Sequence, residues 1–99
     1  MSTLKIRPSV KYFSQLMEKT LRKHDKTKGG QENWRKDSVK DLFDRVKDEV
    51  HELEIEIELT RPILINVQKK ANKYIIDECV DVANFCMMIA DKLSNKVKD

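Results

Sequence analysis

Apolar side chains in the first third of the chain recur at steps of three and four residues, which is the spacing of one helix face. The members of this face are Val10, Phe13, Leu16, Met17 and Leu21. Pro8 suits a first helical turn, because the amide hydrogen it lacks has no intrahelical partner there. The polar residues from Asp25 to Asn33 break the pattern. The sequence therefore predicts a first helix over residues 8–24.

A stronger periodic pattern predicts a second helix, with apolar residues along one side of it. They are Val39, Leu42, Phe43, Val46, Val50, Leu53 and Ile57. Asp37 or Ser38 can cap its first turn, and it should end near Thr60, because Pro62 disfavours helical backbone at the preceding residue. We expect residues 60–71 to be a connection, whose apolar centre forms either a short strand or a helical turn.

A third helix is predicted over residues 72–94, where turning the sequence through about 100° per residue produces one apolar stripe. The stripe contains Ile75, Cys79, Val82, Ala83, Cys86, Ala90 and Leu93. It is widened past half of the circumference by Ile76, Val80, Phe85, Met87 and Ile89.

A helix so apolar must be covered on more than one side, and two other helices of a 99-residue chain can hardly cover it. We therefore expect an all-α fold, a helical bundle completed by oligomerisation as a dimer or tetramer. The alternative is that the third helix is wrapped by the chain's own N-terminal segment and by residues 60–71.

The composition fits a single helical domain. Charged residues make up 37% and hydrophobic residues 39%, with two Gly and two Pro, so the turn residues that many strands require are scarce. The apolar runs are far shorter than the roughly 20 residues that span a bilayer, so no membrane segment is expected. The N-terminus lacks the apolar core and cleavage site of a signal peptide, which predicts a cytoplasmic protein.

Cys79 and Cys86 are the only cysteines, and on one helix they would lie about 10 Å apart, too far to form a disulfide. We expect free thiols that pack in the core. A zinc site with His24 and His51 is disfavoured, because the spacings of zinc motifs are absent.

Basic charge is concentrated near the N-terminus. Residues 1–36 hold ten Lys or Arg and three acidic residues, whereas residues 37–99 hold ten and fourteen. Such a segment can meet the phosphates of a nucleotide or of nucleic acid, or it can be a solvated helix face. No nucleic-acid recognition motif accompanies it, so the sequence argues against nucleic acid as a partner.

Carboxylates form a second pattern, on two of the predicted helices. Glu49, Glu52 and Glu56 stack along one ridge of the second helix, and Glu78 and Asp81 are three apart within the apolar third helix. Carboxylates on facing helices repel one another and lose hydration unless a positive group lies among them. Lys or Arg could supply that charge, but the third helix offers them only near its ends. Mg²⁺ or Mn²⁺ is the better candidate, because both prefer oxygen ligands.

The order of these residues resembles a known family. The pattern consists of Trp34, Glu-x-x-Glu at residues 49–52, a spacer, and Glu-x-x-Asp at residues 78–81 followed by apolar residues. It is similar to that of the MazG-like nucleotide pyrophosphohydrolases of the all-α NTP pyrophosphatase superfamily. The resemblance covers about residues 34–93 of a single domain expected over residues 1–99. An unusually apolar spacer and an N-terminal third without a matching motif depart from the family pattern.

The resemblance implies a helical bundle that dimerises or tetramerises, binds Mg²⁺, and hydrolyses an NTP or dNTP to the monophosphate and pyrophosphate. Glu49, Glu52, Glu78 and Asp81 would be the metal ligands. The resemblance does not fix the nucleotide, and an activity like that of the related phosphoribosyl-ATP pyrophosphohydrolases is one alternative. A non-catalytic helical oligomer of the same fold, acting as a regulator or adaptor, is another.

Further roles are suggested by the chemistry of phosphoryl transfer, which needs positioned metal charge and an activated water but no nucleophilic side chain. One of Glu49 and Glu52 is the candidate for activating the water. Trp34 is the candidate for stacking on the base. The candidates for other substrate contacts are Lys19, Arg22, Lys23, Arg35 and Asn84.

Overall fold

The computed structural model describes residues 4–27, 30, 33–60 and 65–98. Their regular elements are helix α1 (Pro8–Thr27), a 3₁₀ turn (Asn33–Lys36), helix α2 (Val39–Thr60) and helix α3 (Ile65–Lys98). All regular secondary structure in these ranges is helical, which confirms the all-α prediction.

Helix α1 begins at Pro8, as predicted, and continues to Thr27, three residues beyond its predicted end. The polar residues after the last apolar position therefore extend the helix. Gly30 has a φ of +104°, a backbone conformation that glycine adopts readily. Its amide donates a hydrogen bond to the Asp25 carbonyl at 3.1 Å, which satisfies one of the carbonyls at the end of α1.

Helix α2 has the predicted bounds, and its N-cap is Ser38. The Ser38 hydroxyl accepts a hydrogen bond from the Asp41 amide at 3.0 Å, while the Ser38 carbonyl accepts one from the Leu42 amide at 3.0 Å. Both bonds are those of a capped first turn. Of the two predicted caps, Ser38 thus holds the position.

Helix α3 is longer than predicted, and the expected connection over residues 60–71 is wrong for most of its length. Residues 65–71 are the first turns of α3, so Ile65, Asn66 and Val67 lie in a helix rather than in a strand. Nothing in this segment opposes helical backbone once the chain has passed Pro62, because no further Gly or Pro follows. Residues 61–64 lie outside the described residues.

Helix α3 is the centre of the fold, because α1, the 3₁₀ turn and α2 all pack against it. The buried apolar core is small and consists of Leu42, Val46, Ala71, Val80 and Met88. On α3 the most buried side chains in its middle are Val80, Asn84 and Met88, which lie one turn apart on one face.

The apolar stripe predicted for α3 lies on a different face. Cys86, Ala90 and Leu93 are exposed, and on a helical wheel they point roughly opposite to Val80 and Met88. The expectation that both cysteines pack in the core is therefore wrong for Cys86, while Cys79 is half-buried. Periodicity alone did not identify the buried side, because the apolar residues of α3 extend past half of its circumference.

The side of α2 that becomes buried is also rotated from the predicted apolar face. Leu42 and Val46 are buried as predicted, but Phe43, Val50 and Ile57 remain 51%, 44% and 43% exposed. Leu53 is half-buried, as a member of the predicted face, and Glu49 and Glu56 are half-buried beside it. These residues share one side of the helix with Leu42 and Val46. This rotation turns a carboxylate of α2 inward and leaves an apolar edge in water.

Both cysteines are free thiols, as predicted. Among the helices in the described part of the chain, none combines the length and the apolar character needed to cross a membrane.

Candidate metal centre and cleft

Three of the four predicted metal ligands converge. Glu49 on α2 and Glu78 and Asp81 on α3 each present a carboxylate oxygen within 4.8 Å of the other two. All three side chains are half-buried. The convergence results from the rotation of α2, which places Glu49 on the same side as Leu42 and Val46, and from the three-residue spacing of Glu78 and Asp81 on α3.

Glu52, the fourth predicted ligand, lies outside this group of three and is exposed. It is still close enough for its charge to raise the pKa of Glu78. Its place is on the edge of α2, roughly 60° round the helix from Glu49. The structure thus brings Glu52 near the carboxylate group without making it a member.

The electrostatics of the group centre on Glu78, whose pKa rises to about 7. Burial is the largest cause, followed by a hydrogen bond shared with the Glu49 carboxyl and by the negative charges of Glu49, Asp81 and Glu52. Glu78 Oε2 is buried, and no hydrogen-bond partner for it is found among the described residues. A buried carboxylate oxygen without a partner is costly, so Glu78 favours either a proton or a cation.

The pKa of Asp81 is raised as well. Burial is the largest cause, and the charges of Glu49 and Asp77 act in the same direction, whereas His24 on α1 lowers it. Two neighbouring acids that both resist ionisation are the expected result when carboxylates are crowded without sufficient positive charge.

The donor set fits a hard divalent cation. Mg²⁺ binds oxygen atoms at 2.0–2.1 Å, so two of its ligands lie at most about 4.2 Å apart. The three carboxylate oxygens lie within 4.8 Å of one another, which is close to that separation. The unpartnered oxygen of Glu78 is the feature that a cation would satisfy. Glu49, Glu78 and Asp81 are the residues that would hold the ion.

A cleft of about 500 Å³ opens beside these acids, between the end of α1, the 3₁₀ turn, α2 and α3. Glu49 and Asp81 line it. Its apolar lining residues are Leu21, Trp34, Phe85 and Met88, and its other polar lining residues include His24, Asp25, Asn33, Lys36, Asp37 and Arg45. The volume is that of a small-molecule site, with an aromatic ring and two basic side chains beside the cluster of three carboxylates.

Arg45 lines the cleft and was not among the candidate site residues taken from the sequence. It lies one turn before Glu49, and its guanidinium is 5.8 Å from the centre of the Phe85 ring, a cation–π contact with α3. The signal that could have found it is its four-residue spacing from Glu49, which puts both side chains on neighbouring positions of one face.

Trp34 lines the cleft, a position from which its ring could stack on a base, its predicted role. Arg35, the adjacent candidate for a phosphate contact, is engaged elsewhere. Its guanidinium lies 5.0 Å from the centre of the Trp34 ring and 3.0 Å from Asp91 Oδ2 on α3. Arg35 therefore joins the 3₁₀ turn to α3 and is not among the described residues that line the cleft.

The three cations predicted on α1 are exposed and are not among the described residues that line the cleft. Lys19 and Lys23 point to solvent, and Arg22 pairs with Glu18 at 3.2 Å. Asn84 is 4% exposed, and its Nδ2 donates to the Met17 carbonyl at 3.3 Å. Asn84 thus links α1 to α3. A substrate contact for any of these four residues stays a prediction.

No protein-family model matches the chain, and neither a curated protein nor a solved structure matches it. The MazG-like resemblance accordingly rests on the residues quoted above and stays a prediction.

Proposed function

We propose that the chain is a metal-dependent nucleoside triphosphate pyrophosphohydrolase of the MazG-like type, hydrolysing an NTP or dNTP to the monophosphate and pyrophosphate. The observation that carries the proposal is the group of three carboxylates within 4.8 Å, beside a cleft lined by Trp34 and Arg45. A metal–nucleotide complex has three parts, a cation, an aromatic base and anionic phosphates. The acidic group, the Trp34 ring and the Arg45 guanidinium are chemically suited to these three parts in turn.

Each part of the cleft has a role in this reaction. The Trp34 ring stacks on the base, which any base allows because every base has an aromatic face. The Arg45 guanidinium and the Lys36 ammonium bind phosphate oxygens, with Arg45 suited to a two-point contact. Mg²⁺ held by Glu49, Glu78 and Asp81 would neutralise phosphate charge and lower the pKa of a bound water.

Glu52 is our candidate for the water-activating base. It is exposed and outside the group of three, so its carboxylate remains available to accept a proton while the other three hold the cation. In the proposed reaction, a water oxygen bonds to the α phosphorus, and the bond from that phosphorus to the oxygen that bridges to the β phosphate breaks. The water's proton goes to Glu52, and pyrophosphate leaves.

We further propose that the active form is a homodimer or homotetramer. The chain exposes 8222 Å², whereas a folded monomer of 11.7 kDa exposes about 5900 Å². Two apolar edges contribute to the excess, one of Phe43, Val50 and Ile57 on α2 and one of Cys86, Ala90 and Leu93 on α3. Helix α3 is contacted by the chain's own α1 and α2, yet its edge of Cys86, Ala90 and Leu93 remains exposed.

The test is a screen of nucleoside triphosphates, deoxynucleoside triphosphates and phosphoribosyl-ATP with Mg²⁺ or Mn²⁺, detecting pyrophosphate. Asp81→Asn should lower turnover at least about a hundredfold, because even the outer partners of metal ligands cost 10–100-fold when changed. The matched control is Asp77→Asn, one turn earlier on α3 in an exposed ion pair with Lys73, which should retain most of the activity.

A thermal-melting series with Mg²⁺ separates the alternatives. Metal that binds the folded state raises the melting temperature of the wild type, and Asp81→Asn should lose that rise. A rise without hydrolysis of any nucleotide would instead favour a non-catalytic metal-binding oligomer. The absence of both effects at millimolar metal would rule out the metal site.

A further inference from the structure

The 3₁₀ turn is fastened to α3 through one residue, Arg35. The Arg35 guanidinium Nη2 lies 3.0 Å from Asp91 Oδ2 as an ion pair. The Arg35 backbone carbonyl accepts a hydrogen bond of 2.8 Å from Lys92 Nζ. Neighbouring residues of α3 thus hold both the side chain and the backbone of Arg35. We call these three residues the Arg35 latch.

The latch acts on Trp34, the residue before Arg35. The Arg35 guanidinium lies 5.0 Å from the centre of the Trp34 ring, within the range of a cation–π contact. Trp34 in turn lines the cleft beside Glu49 and Asp81. The Trp34 ring is therefore in contact with a residue that α3 holds by its side chain and its backbone.

Single ion pairs at a surface contribute little, but the latch differs in two respects. The side chains of Arg35 and Asp91 are 45% and 36% exposed, but Asp91 Oδ2 itself is shielded from water, and among the described residues its partner is the Arg35 guanidinium. Salt therefore screens this contact less than one between fully exposed atoms. In addition, two contacts from α3 converge on one residue of a four-residue turn. A short 3₁₀ turn has few internal hydrogen bonds of its own, so external contacts determine where it lies.

We propose that Asp91 and Lys92 are positioning residues, which act through Arg35 to hold the Trp34 ring as a wall of the cleft. Nucleotide affinity then depends on two α3 residues that do not touch the nucleotide. The effect on affinity rests on the proposed function, whereas the effect on the Trp34 ring does not.

Trp34 is the only tryptophan, so intrinsic fluorescence reports on the latch without any substrate. Asp91→Asn removes the charge, and Lys92→Met removes the hydrogen-bond donor while keeping the length of the side chain. We expect both to shift Trp34 emission to longer wavelength and to increase its quenching by acrylamide. Asp91→Glu should restore the wild-type spectrum. The control is Asp44→Asn, which breaks exposed ion pairs with Lys40 and Lys47 on α2.

The second readout is steady-state kinetics with the best substrate of the screen. Asp91→Asn and Lys92→Met should raise KM about fivefold, the upper range for one such contact. They should leave kcat within about twofold, because Asp91 lies ten residues beyond Asp81, about 15 Å along α3. Asp44→Asn should change neither parameter.

Two results would overturn the proposal that Asp91 and Lys92 position the Trp34 ring. One is wild-type emission and quenching in both variants, because the ring would then be held by other contacts. The other is altered emission that arises only through partial unfolding, seen as a matching loss in the urea midpoint and in kcat. If no nucleotide is hydrolysed, the proposed function fails, while the fluorescence comparison still decides whether the latch positions Trp34.

Discussion

At the scale of single residues, Glu78 links protonation to folding. Its pKa in the fold is about 7, raised from 4.5 by burial and by Glu49, Asp81 and Glu52. Between these two values the folded state holds the proton more tightly than the unfolded state does. The free energy of unfolding of the metal-free protein therefore contains a contribution that is present below pH 4.5 and is lost as pH rises through 7.

We predict that replacing Glu78 by Gln flattens this dependence. In EDTA, the stability gain of Glu78→Gln over the wild type should be larger at pH 8 than at pH 5.5, because only the wild type must then bury a charge. The measurement is urea unfolding at both values. An equal difference at the two pH values would show that Glu78 does not titrate in this window.

Arg45 carries a second residue-scale prediction. Under the proposed function, Arg45→Gln should raise KM for the nucleotide about tenfold, because a guanidinium–phosphate contact is among the stronger hydrogen bonds. Lys47→Gln is the matched control. Lys47 pairs with Asp44 at 3.2 Å and lies over the Phe43 ring, and it is not among the described residues that line the cleft. Similar KM values for the two variants would count against a phosphate contact at Arg45.

At the scale of elements, α2 carries much of the site, since it supplies Glu49, Glu52 and Arg45. Its register depends on where the helix begins and on which side faces α3. The first is fixed locally, by the Ser38 cap and its 3.0 Å hydrogen bond from the Asp41 amide. The second is fixed by packing, which buries Leu42 and Val46.

We predict that Ser38→Ala lowers the free energy of unfolding by about 1 kcal/mol, the usual cost of losing a serine N-cap. Ser14→Ala is the control, because the exposed Ser14 hydroxyl only donates back to the Lys11 carbonyl within α1. Alanine is a better helix former at such a position, so this change should be neutral or slightly stabilising. Urea unfolding measures both, and equal effects would argue against the cap.

At the scale of the whole molecule, the single chain is more open than a folded monomer of its size. Its radius of gyration is 15.8 Å, compared with about 13 Å for 100 residues. Its exposed area exceeds the monomer expectation by about 2300 Å². Homodimer interfaces commonly bury areas of this order, so a second copy would supply the missing cover.

We predict a dimer or tetramer by sedimentation equilibrium at tens of micromolar, with the apolar edge of α2 in its interface. Ile57→Lys should shift the equilibrium toward the monomer, because a charge would enter an apolar contact. Glu54→Lys places the same side chain at an exposed polar position of α2 and should leave the assembly intact. A wild-type monomer at this concentration would refute the prediction.

Several features of this protein were determined by the sequence alone. The spacing of apolar residues and the positions of Pro8, Ser38 and Pro62 indicated three helices, because helix periods, caps and breakers act within a few residues of one another. The three-residue spacing of Glu78 and Asp81 likewise placed both on one side of α3 before any packing was known. The start of α3 was missed, since helix and connection have no distinct local signal over residues 65–71. The ends of α1 and α3 also lie three and four residues beyond their predicted positions.

The rotation of the helices and the content of the cleft were decided by the tertiary structure. Because the apolar residues of α3 extend past half of its circumference, its sequence could not show that Val80 and Met88 would be buried while Leu93 stayed exposed. The inward turn of Glu49, the entry of Arg45 into the cleft and the pairing of Arg35 with Asp91 depend on contacts between separate helices. Such contacts join residues far apart in the chain, and they are chosen by how whole surfaces fit together.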